Sequence, residues 1–294
     1  MSSLPRWKNA EEHGDVKEVW FPGVHSDVGG GYAECELANG ALLWMMEESR
    51  AAGLELRDGI EATIKADALG VLHNSYKGAF AKLRSRPRNI DAIRPENSDR
   101  FHESVYLRQK ACPISHLPYH PTRLLEVGES LSVDVFAGER WNTTGVYLDK
   151  GQSYTFAASG EWQDSKDTCD WRGTEDDKLT FGDALRASSS LLGQFEELFK
   201  KITDNESTDF LGTKRVENLN WFVMVGAIAN DAGTSHAVRN DGSPVPHQYV
   251  ALPDYENKPL VIEHPGYLYC FANDVWSLYA NNRGSVRLTI TRQR

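Results

Sequence analysis

Residues 18–32 read Glu-Val-Trp-Phe-Pro-Gly-Val-His-Ser-Asp-Val-Gly-Gly-Gly-Tyr and bring an imidazole, a carboxylate and a run of glycines onto one short stretch. That combination suits acid–base chemistry: His25 can take the proton of a hydroxyl nucleophile, and Asp27, two residues on, can orient its ring. Asp27 can equally hold the loop, and spacing alone does not choose between the two. Gly29, Gly30 and Gly31 let the backbone turn sharply and pack closely. The plainer alternative is a glycine-rich turn between a strand and a helix. A base of this kind needs a nucleophile, and no G-x-S-x-G turn occurs in the 294 residues. Gly233-Thr-Ser-His-Ala comes nearest, but it falls among turn-rich β segments and reads as a surface turn. His73, His102, His116 and His120 read as structural or solvent-facing side chains.

A second set of chemistry-bearing residues lies near the C-terminus. Asp274, Asn281 and Asn282 fall on one loop between two strand-like runs. Calcium favours such a loop, because it collects several oxygen ligands from carboxylate, amide and backbone carbonyl groups at flexible geometry. An Asx-rich turn without metal is the alternative.

The elements that must position these residues change character along the chain. Residues 16–24 suit a buried strand ending at Gly23, and a helix follows over about 37–52, with Leu42, Leu43, Met45 and Met46 as its apolar positions and Gly53 ending it. A second helix is expected over roughly 60–76. Residues 84–95, basic and broken by two prolines, read as a surface loop. Two prolines and two histidines in 114–121, with Pro113 just ahead of them, mark a linker. Beyond it, strand-like runs recur at 132–136, 145–148, 153–158, 221–229, 259–263, 266–272 and 285–291, the pattern of a β-sandwich. Leu185, Leu191, Leu192, Phe195, Leu198, Phe199 and Ile202 interrupt it as an amphipathic helix. The expected organisation is an α/β domain over 1–113, a linker over 114–125, and an all-β sandwich over 126–294 with a helical insertion at about 185–204.

Thirty-two Lys and Arg against 42 Asp and Glu give a net charge of -10, which speaks against a nucleic-acid partner held by bulk electrostatics. The N-terminus lacks the apolar run of a secretory signal, and the longest apolar stretch, 221–229, is too short to cross a bilayer. A protein made in the cytoplasm is expected, with delivery to the periplasm or envelope of a target cell as the further possibility. Cys35, Cys112, Cys169 and Cys270 are scattered, with no C-x-x-C pair, and imply neither a zinc cage nor a disulfide scaffold.

The stretch Gly-Val-His-Ser-Asp-Val-Gly-Gly-Gly resembles the histidine motif of the bacterial α/β-hydrolase family that includes type VI secretion phospholipase effectors. Ala41-Leu-Leu-Trp-Met-Met-Glu-Glu, Leu69-Gly-Val-Leu-His-Asn-Ser-Tyr and His102-Glu-Ser-Val-Tyr-Leu-Arg resemble that family's downstream helices and closing segment, so the likeness spans about 14–110. The resemblance implies the C-terminal half of an α/β-hydrolase fold. It makes His25 the general base, with Asp27 beside it. The family's serine lies well before the histidine loop, and the 24 residues ahead of His25 hold no room for it. A partner chain that supplies the serine, or a rearranged fold, is therefore expected.

The loop Asn273-Asp-Val-Trp-Ser-Leu-Tyr-Ala-Asn-Asn-Arg-Gly resembles the calcium site of the bacterial galactophilic lectin family, Asn-Asp-Val-Pro-Gly-Thr-Tyr-Gly-Asn-Asn-Ser-Gly, without a gap. Residues 145–162 and 221–228 resemble that lectin's opening and middle strands. The resemblance implies calcium held by the side chains of Asp274, Asn281 and Asn282 and the carbonyls of Val275 and Leu278, with Asp164 as an added ligand. The loop at 163–171 is longer than the lectin's and differently composed, so sugar preference does not carry over. Two functions follow as expectations. One is a component or remnant of a serine phospholipase or esterase effector, with a lectin-like targeting domain and a secretion-apparatus or immunity protein as partner. The other is a non-catalytic, calcium-dependent module that binds glycan or protein.

Overall fold

The computed structural model describes residues 16–76, 85–111, 121–164, 167–174, 214–233 and 246–294. Most of the expected linker, the helical insertion, His116, His120 and the Thr-Ser-His-Ala turn lie outside them. The chain forms two compact units, one from Ser3–Leu83 with Asp91–Thr122, the other from Arg84–Ile90 with Arg123–Arg294.

The larger unit consists of two antiparallel sheets. One orders β1 (Ser130–Phe136), β9 (Asn282–Arg292), β3 (Ser153–Asp164) and β4 (Asp167–Cys169), with β7 (Leu260–Val261) also on β3. The other orders β2 (Asn142–Leu148), β8 (Gly266–Ala272), β5 (Met224–Ile228) and β6 (Gln248–Ala251). β9 shows why these residues form strands. Val286, Leu288 and Ile290 are fully buried at every second position, so one face of the strand enters the core. Its register sets Val286 opposite Val135 on β1 and opposite Gly160 on β3. The core between the sheets adds Phe156, Trp162, Trp171, Met224, Ile228 and Leu268.

β5 is buried along its whole length. Met224 and Ile228 enter the main core, while Val225 and Ala227 join a second cluster with Val223, Ala251 and Phe271. A strand covered on both faces needs apolar residues at consecutive positions, which is why 221–229 reads as a continuous run. All seven expected runs carry strands. β4 and β6, 3 and 4 residues long, went unsignalled.

The loop at 84–95 is less free than its composition suggests. Residues 85–90 belong to the β unit, where the Trp141 indole donates to the Ser85 carbonyl at 3.0 Å and Arg86 pairs with Asp231 at 2.6 Å. The fully buried His247 bonds the Pro87 carbonyl through Nε2 at 2.8 Å and lies 3.3 Å from Asp231 through Nδ1.

The smaller unit holds α1 (His25–Gly29), α2 (Glu36–Ala51) and α3 (Glu103–Ala111). α2 begins with Glu36 and ends with Arg50, charges that suit the helix dipole. Gly53 follows with φ +90° and donates to the Arg50 carbonyl at 2.9 Å. The face α2 buries is not the expected one. Leu37 and Ala41 are buried, whereas Leu42 and Met45 are about half exposed, at 46% and 53%.

The strand expected over 16–24 reduces to one parallel bridge, Trp20 to Phe101, because no further strand lies beside it to extend a ladder. Among the described residues the unit contains no sheet. The described residues of the unit thus form helices and this bridge, and they do not show the α/β-hydrolase architecture expected of it. The helix expected over 60–76 is a 3-10 turn, Ile60–Thr63, followed by irregular chain. Bonds to neighbouring elements occupy that chain's backbone: Asn39 donates to the Lys65 carbonyl at 2.8 Å, and Arg108 to those of Ala68 and Gly70 at 3.0 and 2.8 Å. Among the described residues, Cys35, Cys169 and Cys270 form no disulfide. No helix among the described residues is long and apolar enough to cross a membrane.

Candidate functional site

The site grows from the turn that precedes α1. Gly23 has φ +116°, and a Cβ there would lie 2.4 Å from the Asp27 Cβ, so only glycine lets the carboxylate fold back over the turn. Asp27 is buried, and its Oδ2 accepts the Val24 backbone N–H at 2.9 Å. The same carboxylate reaches across to the segment after the 3-10 turn. Its Oδ2 accepts the His73 backbone N–H at 3.1 Å, and its Oδ1 lies 2.6 Å from His73 Nδ1. An ionised carboxylate can only accept, so Nδ1 carries a proton and Nε2 is the ring nitrogen that Asp27 leaves to other partners. Tyr32 stacks on the imidazole at 3.7 Å between ring centres and 17° between planes. Glu34 Oε2 lies 3.4 Å from Nε2.

The carboxylate that the sequence places near His25 engages His73 instead. His25 is exposed on α1. The histidine that Asp27 meets is thus one read from sequence as structural. Asp27 precedes His73 by 46 residues, and the resemblance to α/β hydrolases implies an acid that precedes its histidine along the chain. Chemically, a buried carboxylate that fixes one ring nitrogen and frees the other is the orienting half of a Ser-His-Asp system. His102, by contrast, stacks on Phe21 at 4.5 Å and bonds the Ser104 hydroxyl at 2.8 Å, and burial holds its pKa below the usual histidine value.

In the β unit the structure gathers most of the Asn–Asp cluster. Asp274 and Asn282 are buried, and the Asn282 amide donates to Asp274 Oδ2 at 2.9 Å and to the Ala137 carbonyl at 3.3 Å. Asp274 Oδ1 accepts the Val275 N–H at 2.6 Å. The Val275 and Leu278 carbonyls accept turn-closing N–H groups from Leu278 and Asn281 at 3.0 and 3.1 Å. Asn281 itself is exposed. The register of β3 on β9 sets the Asp164 backbone opposite Asn282. One atom fits an oxygen-seeking cation: Asn282 Oδ1 is buried with no partner among the described residues. The remaining groups are engaged as in a metal-free Asx network, and no three His, Cys, Asp or Glu side chains converge among the described residues.

Sequence reasoning passed over Arg215, whose N–H donates to the Asp274 carbonyl at 3.1 Å. Its guanidinium lies 3.3 Å from the Phe271 ring centre, 4.1 Å from that of Trp141 and 4.9 Å from that of Trp276. It donates to the Tyr279 hydroxyl at 3.0 Å. Burial pushes the Tyr279 phenol up to about 12, so it stays neutral and pins the loop from inside.

Residues 2–48 match the family described as the catalytic domain of Tle1-like phospholipase effectors of type VI secretion systems. Among curated proteins, an uncharacterized protein of Saccharomyces cerevisiae is 46% identical over 50 residues, covering 15% of this chain and 7% of that protein. The chain thus spans a small fraction of the relative it matches.

Proposed function

We propose that this chain supplies the base and its orienting acid to a serine-type ester hydrolase that acts on phospholipid. The observation that carries the reading is the 2.6 Å contact between the buried Asp27 carboxylate and His73 Nδ1. The match of residues 2–48 to a phospholipase effector domain supports the substrate class. In this reading His73 Nε2 takes the proton of a serine hydroxyl as its oxygen attacks the ester carbonyl, then returns that proton to the departing alcohol. Asp27 holds the ring's tautomer and stabilises the transient imidazolium. The serine comes from outside the 294 residues, since they hold no G-x-S-x-G turn. The β unit then serves to place the enzyme on its substrate surface or delivery apparatus.

The test is gentle purification from the native host, identification of all co-purifying sequence by mass spectrometry, and assay on phospholipid vesicles. The expected result is a G-x-S-x-G segment, covalently linked or separate, and ester hydrolysis that depends on it. A solitary, folded chain with no such segment would overturn the reading.

A second reading, calcium-dependent binding of glycan or protein by the β unit, is favoured by one atom, the partnerless Asn282 Oδ1 beside Asp274. Asp274, Asn282, Asn281, Asp164 and the carbonyls of Val275 and Leu278 would hold the ion, with the Asn282 amide turned to present its oxygen. Calorimetric titration with calcium is expected to give saturable binding that Asp274→Asn removes. A flat titration of the unaltered protein would end this reading.

A further inference from the structure

We propose that Glu34 is a latch on the base, its carboxylate holding the place that the nucleophile's hydroxyl must take. The inference rests on the Asp27–His73 reading above. With Nδ1 committed to Asp27, a nucleophile can engage His73 only through Nε2. Glu34 Oε2 stands 3.4 Å from that nitrogen, just beyond the roughly 2.6–3.2 Å a serine oxygen would take but within the space it must enter. Tyr32 covers one face of the ring, which narrows the approach to the edge that Glu34 occupies.

Two features make the arrangement a latch rather than a fixed wall. The Glu34 side chain is 52% exposed, whereas Asp27's is 1% exposed, so Glu34 can swing into water without breaking the turn. Its tether is also short: Glu34 follows Tyr32 by two residues and Gly31 by three, and Gly30 and Gly31, which follow α1, both have positive φ. Docking of a segment bearing the nucleophile would displace the carboxylate and open Nε2. Until then the base is shielded from other electrophiles.

The experiment uses the full chain and two readouts. Carbethoxylation by diethyl pyrocarbonate, mapped by peptide mass spectrometry, reports the accessibility of His73. The low-field proton resonance of its Nδ1–H reports the bond to Asp27, with Asp27→Asn as the control that removes it. Glu34→Ala and Glu34→Gln are both expected to speed modification of His73 about two- to fivefold, the size of an exposed ion pair, while His25 reacts at an unchanged rate. If the resonance is present and neither variant alters the rate at His73, the latch is overturned and the Asp27–His73 pair stands. If the resonance is absent from the unaltered protein, the pair itself falls, and the latch falls with it.

Discussion

The β unit and the helical unit are held together by different physics. In the β unit, aromatic and aliphatic side chains from both sheets are fully buried, Trp162, Phe156, Leu148 and Ile290 among them. In the helical unit, the described apolar side chains that reach full burial are Leu37, Ala41, Ala92, Phe101 and Val105, while Leu42, Met45, Leu69, Val71 and Leu107 stand about half exposed. Apolar burial at about 25 cal/mol per Å² therefore stabilises the first far more than the second. The helical unit takes its order from polar clamps that cross between segments: Asp27 on Val24 and His73, Asn39 on Lys65, Arg108 on Ala68 and Gly70. The clamp that orders the loop is also the pair to which the proposed chemistry is assigned.

The comparison breaks most readily in the β core. Phe156→Ala should lower β-unit stability by about 3–5 kcal/mol in denaturant unfolding followed by intrinsic fluorescence, because a fully buried ring leaves a cavity. A cost below a third of that range would mean the sandwich does not carry its own stability. Next comes the clamp. Asp27→Ala leaves two N–H donors and the His73 ring without their acceptor, and a loss of about 1.5–3 kcal/mol is expected for hydrogen bonds to a charged group. Hydrogen exchange should then accelerate across 20–30 and 71–75 and stay unchanged in β9.

A smaller, pH-dependent effect belongs to His247. Burial holds its folded pKa below the unfolded value of about 6.5, so the unfolded chain binds the proton more readily. Its contribution is intact above that value and is lost as pH falls through the unfolded and then the folded pKa. Asp231 and Arg86 are the charged groups that face it. Thermal unfolding of the β unit should show a decline below about pH 6.5 that His247→Gln flattens. The smallest effect is expected at Met45→Ser on the exposed side of α2, within about 0.5 kcal/mol, whereas a buried position would cost several times more.

The sandwich was legible because strand burial leaves a local signature. Val286, Leu288 and Ile290 alternate with polar residues, and 224–228 is apolar throughout because both its faces are covered. The helical unit was legible at α2 and its Gly53 stop. It was not legible where tertiary bonds replaced local ones, as in the chain after Thr63, whose backbone is taken by Asn39, Arg108 and Asp27. The site followed the same division. Asp27 stood out beside the glycines, yet its partner lies 46 residues away, and no local pattern could say which histidine would meet it. Residues 273–282 were legible as a cluster, but the amide of Asn282 faces Asp274 with its nitrogen, an orientation only the packing decides.

The central claim is that His73, oriented by Asp27, is the base. The most direct measurement is phospholipid hydrolysis by the natively purified assembly carrying either His73→Ala or His25→Ala. The account predicts a loss of about 10²–10⁴-fold for His73→Ala and near-full activity for His25→Ala. Activity that survives loss of His73 and disappears with His25 would contradict it.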